Sequence, residues 1–350
     1  MKGFAMLGIG RVGWIEKEAP KAGLFEAVLE PVALCPCTSD VDTAMENPNI
    51  APNRILGHEG VGRVVEVGAG VTDLQVGDVV AVPAVTPVWR NLDIQDWIQH
   101  SGGPLGGRYL SSRWDGMFGE YFKVPDADLN LAKIPEGVSL EAAALVGDMV
   151  TTGFHGAELA NVKYGDRVAV IGIGPVGLMS VAGAALRGAA EIFAVGSRPI
   201  TRQLAKEFGA DDTVDYREAP FAQQLMELTG GRQFDCVIIA GGEPTVFNDA
   251  LSICKYNGTV ANLAGHGRTQ TCLPIYTNES LSFCAHKTVT GGLCPGGRRR
   301  LERLMGICKT GRLQPEKLIT QDFRGCDSIE SAFDLMASNS RDIVNPIIYV

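Results

Sequence analysis

Three side chains able to hold a borderline-soft metal ion stand in the first half of the sequence: the thiol of Cys37, the imidazole of His58 and the carboxylate of Asp148. Thiolate, neutral imidazole and carboxylate are all zinc-type donors. Three protein ligands are the number a catalytic zinc site uses while keeping one position open. Cys37 lies in Cys35-Pro36-Cys37-Thr38-Ser39-Asp40, so a hydroxyl able to carry a proton, that of Ser39, follows two residues later. His58 is followed by a second carboxylate in Gly57-His58-Glu59-Gly60-Val61-Gly62. A thiolate and a carboxylate balance the two charges of Zn²⁺. Adding Glu59 would leave the site negative and fill its open position, so Glu59 reads as an exchange or outer-layer carboxylate. No spacing here proves a metal, because each of these residues taken singly also fits an ordinary structural position.

A second group of residues can cradle phosphate. Gly172-Ile173-Gly174-Pro175-Val176-Gly177 is a G-x-G-x-x-G run, and it follows the apolar strand pattern Arg167-Val168-Ala169-Val170-Ile171 and opens a helical one. That is the setting in which the motif binds a dinucleotide: a tight turn, backbone N–H groups close to the pyrophosphate, and a closely packed helix whose N-terminus faces the phosphates. The next strand, Glu191–Val195, ends in Gly196-Ser197-Arg198. An acid at that place would hold a ribose 2′-hydroxyl and repel a 2′-phosphate. Here Gly196 leaves room, Ser197 can donate a hydrogen bond and Arg198 supplies charge, which favours NADP(H) over NAD(H). Arg198 also fits a plain surface helix start. Tyr216, at the end of the third strand, can close the adenine side.

Two kinds of element must position these groups. The first ~150 residues are β-rich, with strand patterns at 25–30, 64–68, 76–83 and 119–125 bounded by Gly or Pro, as in a barrel-like or sandwich-like unit. Residues 88–118 read as a long loop. From residue 152 apolar strands alternate with helices: 167–172, 191–196, 212–216, 234–240, 258–264 and 286–292, with helical patterns such as 199–208 and 245–255, and with Gly209 and Gly258 as stops. This predicts an α/β fold with a doubly wound, six-stranded parallel sheet. Helical patterns at 297–309 and 329–337 and a terminal strand at 346–350 are assigned back to the first unit. The expected division is 1–151 with 294–350 for the metal-bearing unit and 152–293 for the nucleotide-binding unit.

The chain has 350 residues, 45% apolar and 20% charged, ordinary for a folded protein of about two domains. Glycine is high at 43, with no G-x-y repeat, which points to tight turns rather than a collagen-like rod. A formal net charge of −9 disfavours a broad grip on nucleic acid. The one basic run, Arg298-Arg299-Arg300, reads as a solvated helix face. Nine cysteines with no C-x-x-C pair look like reduced thiols of a cytoplasmic protein. No signal peptide is visible. The uncharged stretch 168–186 is long enough to mimic a membrane span, but its glycines and Pro175 suit a strand, a turn and a buried helix, so no membrane partner is expected.

The pattern Gly57-His58-Glu59-x-x-Gly62-x5-Gly68-x2-Val71 resembles the zinc signature of the medium-chain alcohol dehydrogenases. Met1–Leu7, Asp148–Leu159 and Gly291–Gly297 are similar to the microbial NADP-dependent secondary alcohol (isopropanol-type) dehydrogenases of that family, and the likeness runs over essentially the whole chain. The resemblance implies a GroES-like catalytic domain split around a Rossmann domain, and a catalytic zinc on Cys37, His58 and Asp148 with Glu59 as an alternate ligand. It implies that Gly196, Ser197, Arg198 and Tyr216 hold the 2′-phosphate end, and that the chain is a homotetramer. The implied reaction is reversible oxidation of small secondary alcohols to ketones, with aldehyde reduction beside it. Ser39 takes the alcohol proton, Thr152 borders the nicotinamide, and Ala84, Val85, Trp89 and Leu293 are candidate pocket walls that fit equally as core residues. Two departures stand out. Residues 88–118 lack the cysteines of the family's second, structural zinc, so one zinc per chain is expected. Asp42 stands where close relatives carry a histidine three residues after the relay serine. Rival readings are a zinc-free quinone or enone reductase on the same fold, a polyol dehydrogenase, and a non-catalytic NADPH-binding protein.

Overall fold

The computed structural model describes residues 1–90, 109–265, 286–338 and 340–350. The chain folds as two compact units, Met1–Thr151 with Cys294–Val350, and Thr152–Leu293. Each has its own core: one includes Phe4, Leu29, Phe118, Phe122 and Phe333, the other Ile171, Phe193, Phe234, Val237 and Ile239.

The first unit opens with an antiparallel hairpin, β1 (Lys2–Gly8) and β2 (Arg11–Glu16), to which β4 (Arg54–Ile55) adds. Its larger sheet contains β3 (Ala27–Leu34), β5 (Gly60–Val67), β6 (Val79–Val82), β7 (Phe122–Val124) and β8 (Ala132–Lys133). The strand pattern at 76–83 starts late, because Gly77 takes a left-handed turn (φ +96°) before β6. Of the long loop expected at 88–118, residues 91–108 lie outside the described residues. Beyond them Met117 and Phe118 are wholly buried in the core.

The second unit is a parallel sheet of β9 (Arg167–Ile171), β10 (Glu191–Val195), β11 (Asp212–Val214), β12 (Phe234–Ile239), β13 (Cys254–Asn262) and β14 (Thr288–Gly291). The spatial order is β11-β10-β9-β12-β13-β14. Numbered from the first of these strands, that is the 3-2-1-4-5-6 order of a Rossmann sheet, so the doubly wound α/β expectation is met. Its central strands β9, β10 and β12 are largely apolar and buried, as strands covered on both faces are.

One boundary differs from expectation. The helix Val246–Ile253 stops before Cys254, and Gly258 is no helix stop; it lies inside β13. Pairing with β12 shifts from Phe234↔Cys254 to Cys236↔Thr259, a bulge that includes Asn257 at φ +62°. Tertiary pairing draws this segment into the sheet, which its local pattern does not disclose. The apolar stretch 168–186 resolves into β9 and the helix Pro175–Leu186, and no helix among the described residues is long and apolar enough to cross a membrane.

After the second unit, the helices Arg298–Lys309 and Ile329–Ala337 and the strands β15 (Ile319–Arg324) and β16 (Asn345–Tyr349) complete the first, β16 pairing antiparallel with β3. The basic run is not a uniform solvated face. Arg299 is exposed, but Arg298 bonds Glu302 and Asp73, and Arg300 bonds Thr151.

Candidate metal centre and nucleotide-binding turn

Strand register builds the metal centre. Leu34 of β3 pairs with Gly60 of β5, and one step further the Cys35 N–H donates to the Glu59 carbonyl at 3.1 Å. The chain leaving β3 and the chain entering β5 are therefore locked side by side, which brings Cys37 to His58. Cys37 caps the helix Thr38–Glu46, its Sγ accepting from the Ser39 N–H at 3.4 Å. On the far side, Gly60 pairs with Val82 of β6, and the Ala84 N–H donates to the Gly147 carbonyl at 3.0 Å, tethering the residue before Asp148. Asp148 sits in a π-helical turn, Val146–Val150, set between the helices Leu140–Leu145 and Thr151–Leu159. A π-turn widens the spiral by one residue and is often found where a side chain must be aimed at a functional centre.

Cys37, His58 and Asp148 each bring one donor atom to a cluster whose members lie within 4.8 Å of one another. His58 Nε2 is 3.1 Å from Asp148 Oδ2 and 3.2 Å from Ser39 Oγ, and the Ser39 hydroxyl lies 3.3 Å from Cys37 Sγ. Asp40, fully buried, accepts from the Cys37 N–H at 3.2 Å and the Gly57 N–H at 3.1 Å, and its Oδ1 lies 2.8 Å from His58 Nδ1. If the ring is neutral and its proton lies on Nδ1, directed to that carboxylate, Nε2 presents a lone pair toward Asp148. Two acceptors at that distance repel, and a cation between them removes the repulsion. Tetrahedral zinc separates its N, O and S ligand atoms by roughly 3.3–3.6 Å, a spacing inside the 4.8 Å that bounds the donor atoms here. Glu59 supports the same fit. It is wholly buried, its Oε1 accepts from the Met149 N–H at 3.1 Å, and its Oε2 has no hydrogen-bond partner among the described residues. Burial, then the neighbouring Asp148 and Cys37, push its carboxyl well above the ordinary carboxylate range.

Residue type and motif alone assign Asp40 no role. The available signal is its place three residues after Cys37, the capping-box spacing, which the structure shows as a reciprocal cap. Asp42 is exposed, further along the same helix.

The wall candidates separate. Ala84 and Val85 are buried, and Ala84 is tied to the Asp148 turn as above. Trp89 donates its indole N–H to Asn130 at 3.0 Å and lines a cleft of about 410 Å³ with Leu129, Gly297 and Arg298, a lining that includes none of the cluster's residues. Leu293 is exposed in the second unit.

In that second unit, the turn after β9 has the shape the glycine run requires. Gly172 takes φ +87°, Gly174 caps the helix Pro175–Leu186 without a side-chain bond, and Pro175 occupies its first turn, followed by Val176. A Cβ on Gly177 would lie 1.8 Å from the Gly172 carbonyl oxygen, so only glycine lets helix and turn pack this closely. At the end of β10, Ser197 is buried and donates to the Tyr216 hydroxyl at 3.1 Å, joining the second and third strand ends. Arg198 caps the helix Pro199–Glu207. Gly196 has a packing cause as well: a Cβ there would meet Ile173 at 2.2 Å, so its missing side chain also makes room for the residue inside the glycine turn. Thr152 is half-buried in the helix Thr151–Leu159.

Known proteins match this arrangement along the whole chain. Residues 24–136 fit the family model of the alcohol dehydrogenase GroES-like domain, and residues 175–309 that of the zinc-binding dehydrogenases. The NADP-dependent isopropanol dehydrogenase of Thermoanaerobacter brockii is 52% identical over 350 residues, covering 99% of both chains. The chain belongs to the zinc-dependent alcohol dehydrogenase family. The enzyme of the same description from Clostridium beijerinckii is 49% identical, again over 99% of both chains. Among solved structures, an alcohol dehydrogenase from Thermus sp. ATN1 superposes with a TM-score of 0.88 at 26% identity, covering 100% of both chains. The cluster on Cys37, His58 and Asp148 is thus a possible metal site within a zinc family.

Proposed function

We propose that this chain is an NADP(H)-dependent oxidoreductase that interconverts small secondary alcohols and ketones, with 2-propanol and acetone as the type pair and small aldehydes as further substrates. The observation that carries the reading is the convergence of a thiol, an imidazole and a carboxylate within 4.8 Å, beside the Ser39 hydroxyl. The description printed for the T. brockii and C. beijerinckii relatives favours the same chemistry.

In this reading Cys37, His58 and Asp148 hold one Zn²⁺ per chain, with no second, structural zinc. Zinc, when bound, supplies Lewis acidity that lowers the pKa of an alcohol oxygen and polarises a ketone carbonyl. Asp40 holds His58 in the tautomer whose Nε2 faces the cluster. Ser39 Oγ accepts the substrate's hydroxyl proton while giving up its own to solvent; ketone reduction runs the same exchange inward. Ala84 and Val85 contribute apolar wall, and Glu59 stands by as an alternate ligand. Gly172, Gly174, Pro175, Val176 and Gly177 cradle the pyrophosphate of NADP(H), which supplies the hydride acceptor or donor. Gly196, Ser197, Arg198 and Tyr216 take the 2′-phosphate end, and Thr152 borders the nicotinamide. The catalytic unit is 1–151 with 294–350, the nucleotide-binding unit 152–293. The protein is read as a cytoplasmic homotetramer; the seven free cysteines among the described residues suit a reducing compartment.

The test is a substrate scan that follows nicotinamide absorbance. Acetone should be reduced with NADPH much faster than with NADH, and 2-propanol oxidised with NADP⁺. Turnover of quinones or enones with none of ketones would favour a zinc-free reductase. Turnover confined to polyols with NAD⁺ would favour a polyol dehydrogenase.

A further inference from the structure

Arg300 lies half-buried in the helix Arg298–Lys309, and its guanidinium reaches Thr151 at the start of another helix. Its Nε donates to Thr151 Oγ1 at 2.9 Å and its Nη2 donates to the Thr151 carbonyl at 3.1 Å. Thr151 is almost completely buried, and its hydroxyl donates to the Pro295 carbonyl at 3.4 Å. Thr151 also closes the π-turn Val146–Val150: its backbone N–H donates to the carbonyl of Asp148. A continuous line of hydrogen bonds therefore runs from Arg300 through Thr151 to the backbone of Asp148.

A π-turn has an obvious competitor. The same residues can wind as ordinary α-helix, which would rotate Asp148 about the helix axis and carry its carboxylate away from His58. The C-terminal end of the turn decides which winding survives, and Arg300 grips that end at two atoms. A planar guanidinium fixes an oxygen pair in position and orientation, whereas an ammonium on a flexible stem would fix only a distance.

We propose that Arg300 is a positioning residue for Asp148, holding the π-turn in the winding that presents the carboxylate to the metal cluster. This rests on Asp148 being a zinc ligand, as proposed above.

The test is the rate at which zinc leaves the purified full-length protein in excess chelator, measured for wild type, Arg300→Met, Arg300→Lys and Thr151→Val, with melting temperature and far-ultraviolet dichroism recorded alongside. Outer-layer partners of metal ligands typically change metal affinity about 10- to 100-fold. Arg300→Met is expected to release zinc about tenfold or more faster than wild type, Thr151→Val to show a smaller increase, and Arg300→Lys to fall between Arg300→Met and wild type. A purely structural role would lower the melting temperature and leave the release rate of folded protein unchanged, and that result overturns the inference. Should Arg300→Met not fold, Thr151→Val, which removes only the hydroxyl, decides by the same rate. If wild-type protein holds no zinc, or Asp148→Ala retains it as tightly, the metal reading fails instead. Zinc present and lost on Asp148→Ala but unaffected by Arg300→Met and Thr151→Val rejects the positioning role alone.

Discussion

Asp40 lies out of reach of water, and two backbone N–H groups and the His58 ring converge on its carboxylate. A carboxylate in that position must stay fully bonded, because burying one without partners is costly. Its replacement by the isosteric amide keeps the shape but turns one acceptor oxygen into a donor, facing either a backbone N–H or the His58 ring. Asp40→Asn is expected to keep the fold and lower zinc affinity about 10- to 100-fold, read by competition with a chelator. Unchanged affinity would mean that His58 needs no orienting partner. Residue types make Cys37, His58, Asp148 and Ser39 visible in the sequence, because thiols, imidazoles and carboxylates carry recognisable chemistry. Asp40 has the same chemistry but does not stand out, since its function lies in whom it touches, and two of its three partners, Gly57 and His58, come from 17 and 18 residues away.

At the scale of elements, the metal centre is a product of strand register and of two unusual backbone turns. Gly57 takes φ +87°, and a Cβ there would lie 2.3 Å from a ring carbon of Phe118. Left-handed backbone costs a non-glycine residue about 1–3 kcal/mol before any clash is counted. Gly57→Ala should therefore lower the melting temperature by at least about 2–4 °C and displace His58, so weakened zinc retention should accompany the loss of stability. A fully stable, fully metallated Gly57→Ala protein would contradict this account of the turn. The strand–turn–helix at 167–177 is legible in the sequence because everything it needs is local: a continuous apolar strand, three spaced glycines and a proline in the helix's first turn. The π-turn at Asp148 and the bulge at Asn257 are not, because both are set by contacts with other segments: Thr151 under Arg300, and β13 against β12.

For the molecule as a whole, two separately cored units divide the labour. The unit of residues 1–151 and 294–350 brings the metal donors together, and the unit of residues 152–293 carries the glycine turn and the strand ends beside it. The central parallel strands β9, β10 and β12 announce themselves as largely apolar runs. The β1–β2 hairpin and the helix Thr38–Glu46 do not, being mixed in polarity. In the proposed reading nucleotide choice belongs to this scale, because the residues assigned to it join the ends of two strands through the Ser197–Tyr216 bond. Replacing Ser197 and Arg198 together by alanine removes a hydroxyl donor and a cation. A hydrogen bond to a charged group is worth about 1.5–3 kcal/mol, so preference for NADPH over NADH should fall roughly 10- to 100-fold in kcat/KM. An unaltered preference would place the 2′-phosphate elsewhere.

The claim on which the whole account depends is that a zinc ion on Cys37, His58 and Asp148 activates the substrate oxygen. Metal content and turnover of 2-propanol with NADP⁺, measured on the same preparations before and after chelation, test it directly. The account predicts about one zinc per chain, activity that disappears in proportion to the zinc removed and returns with it, and neither zinc nor turnover in Cys37→Ala. Full turnover in metal-free protein would contradict it.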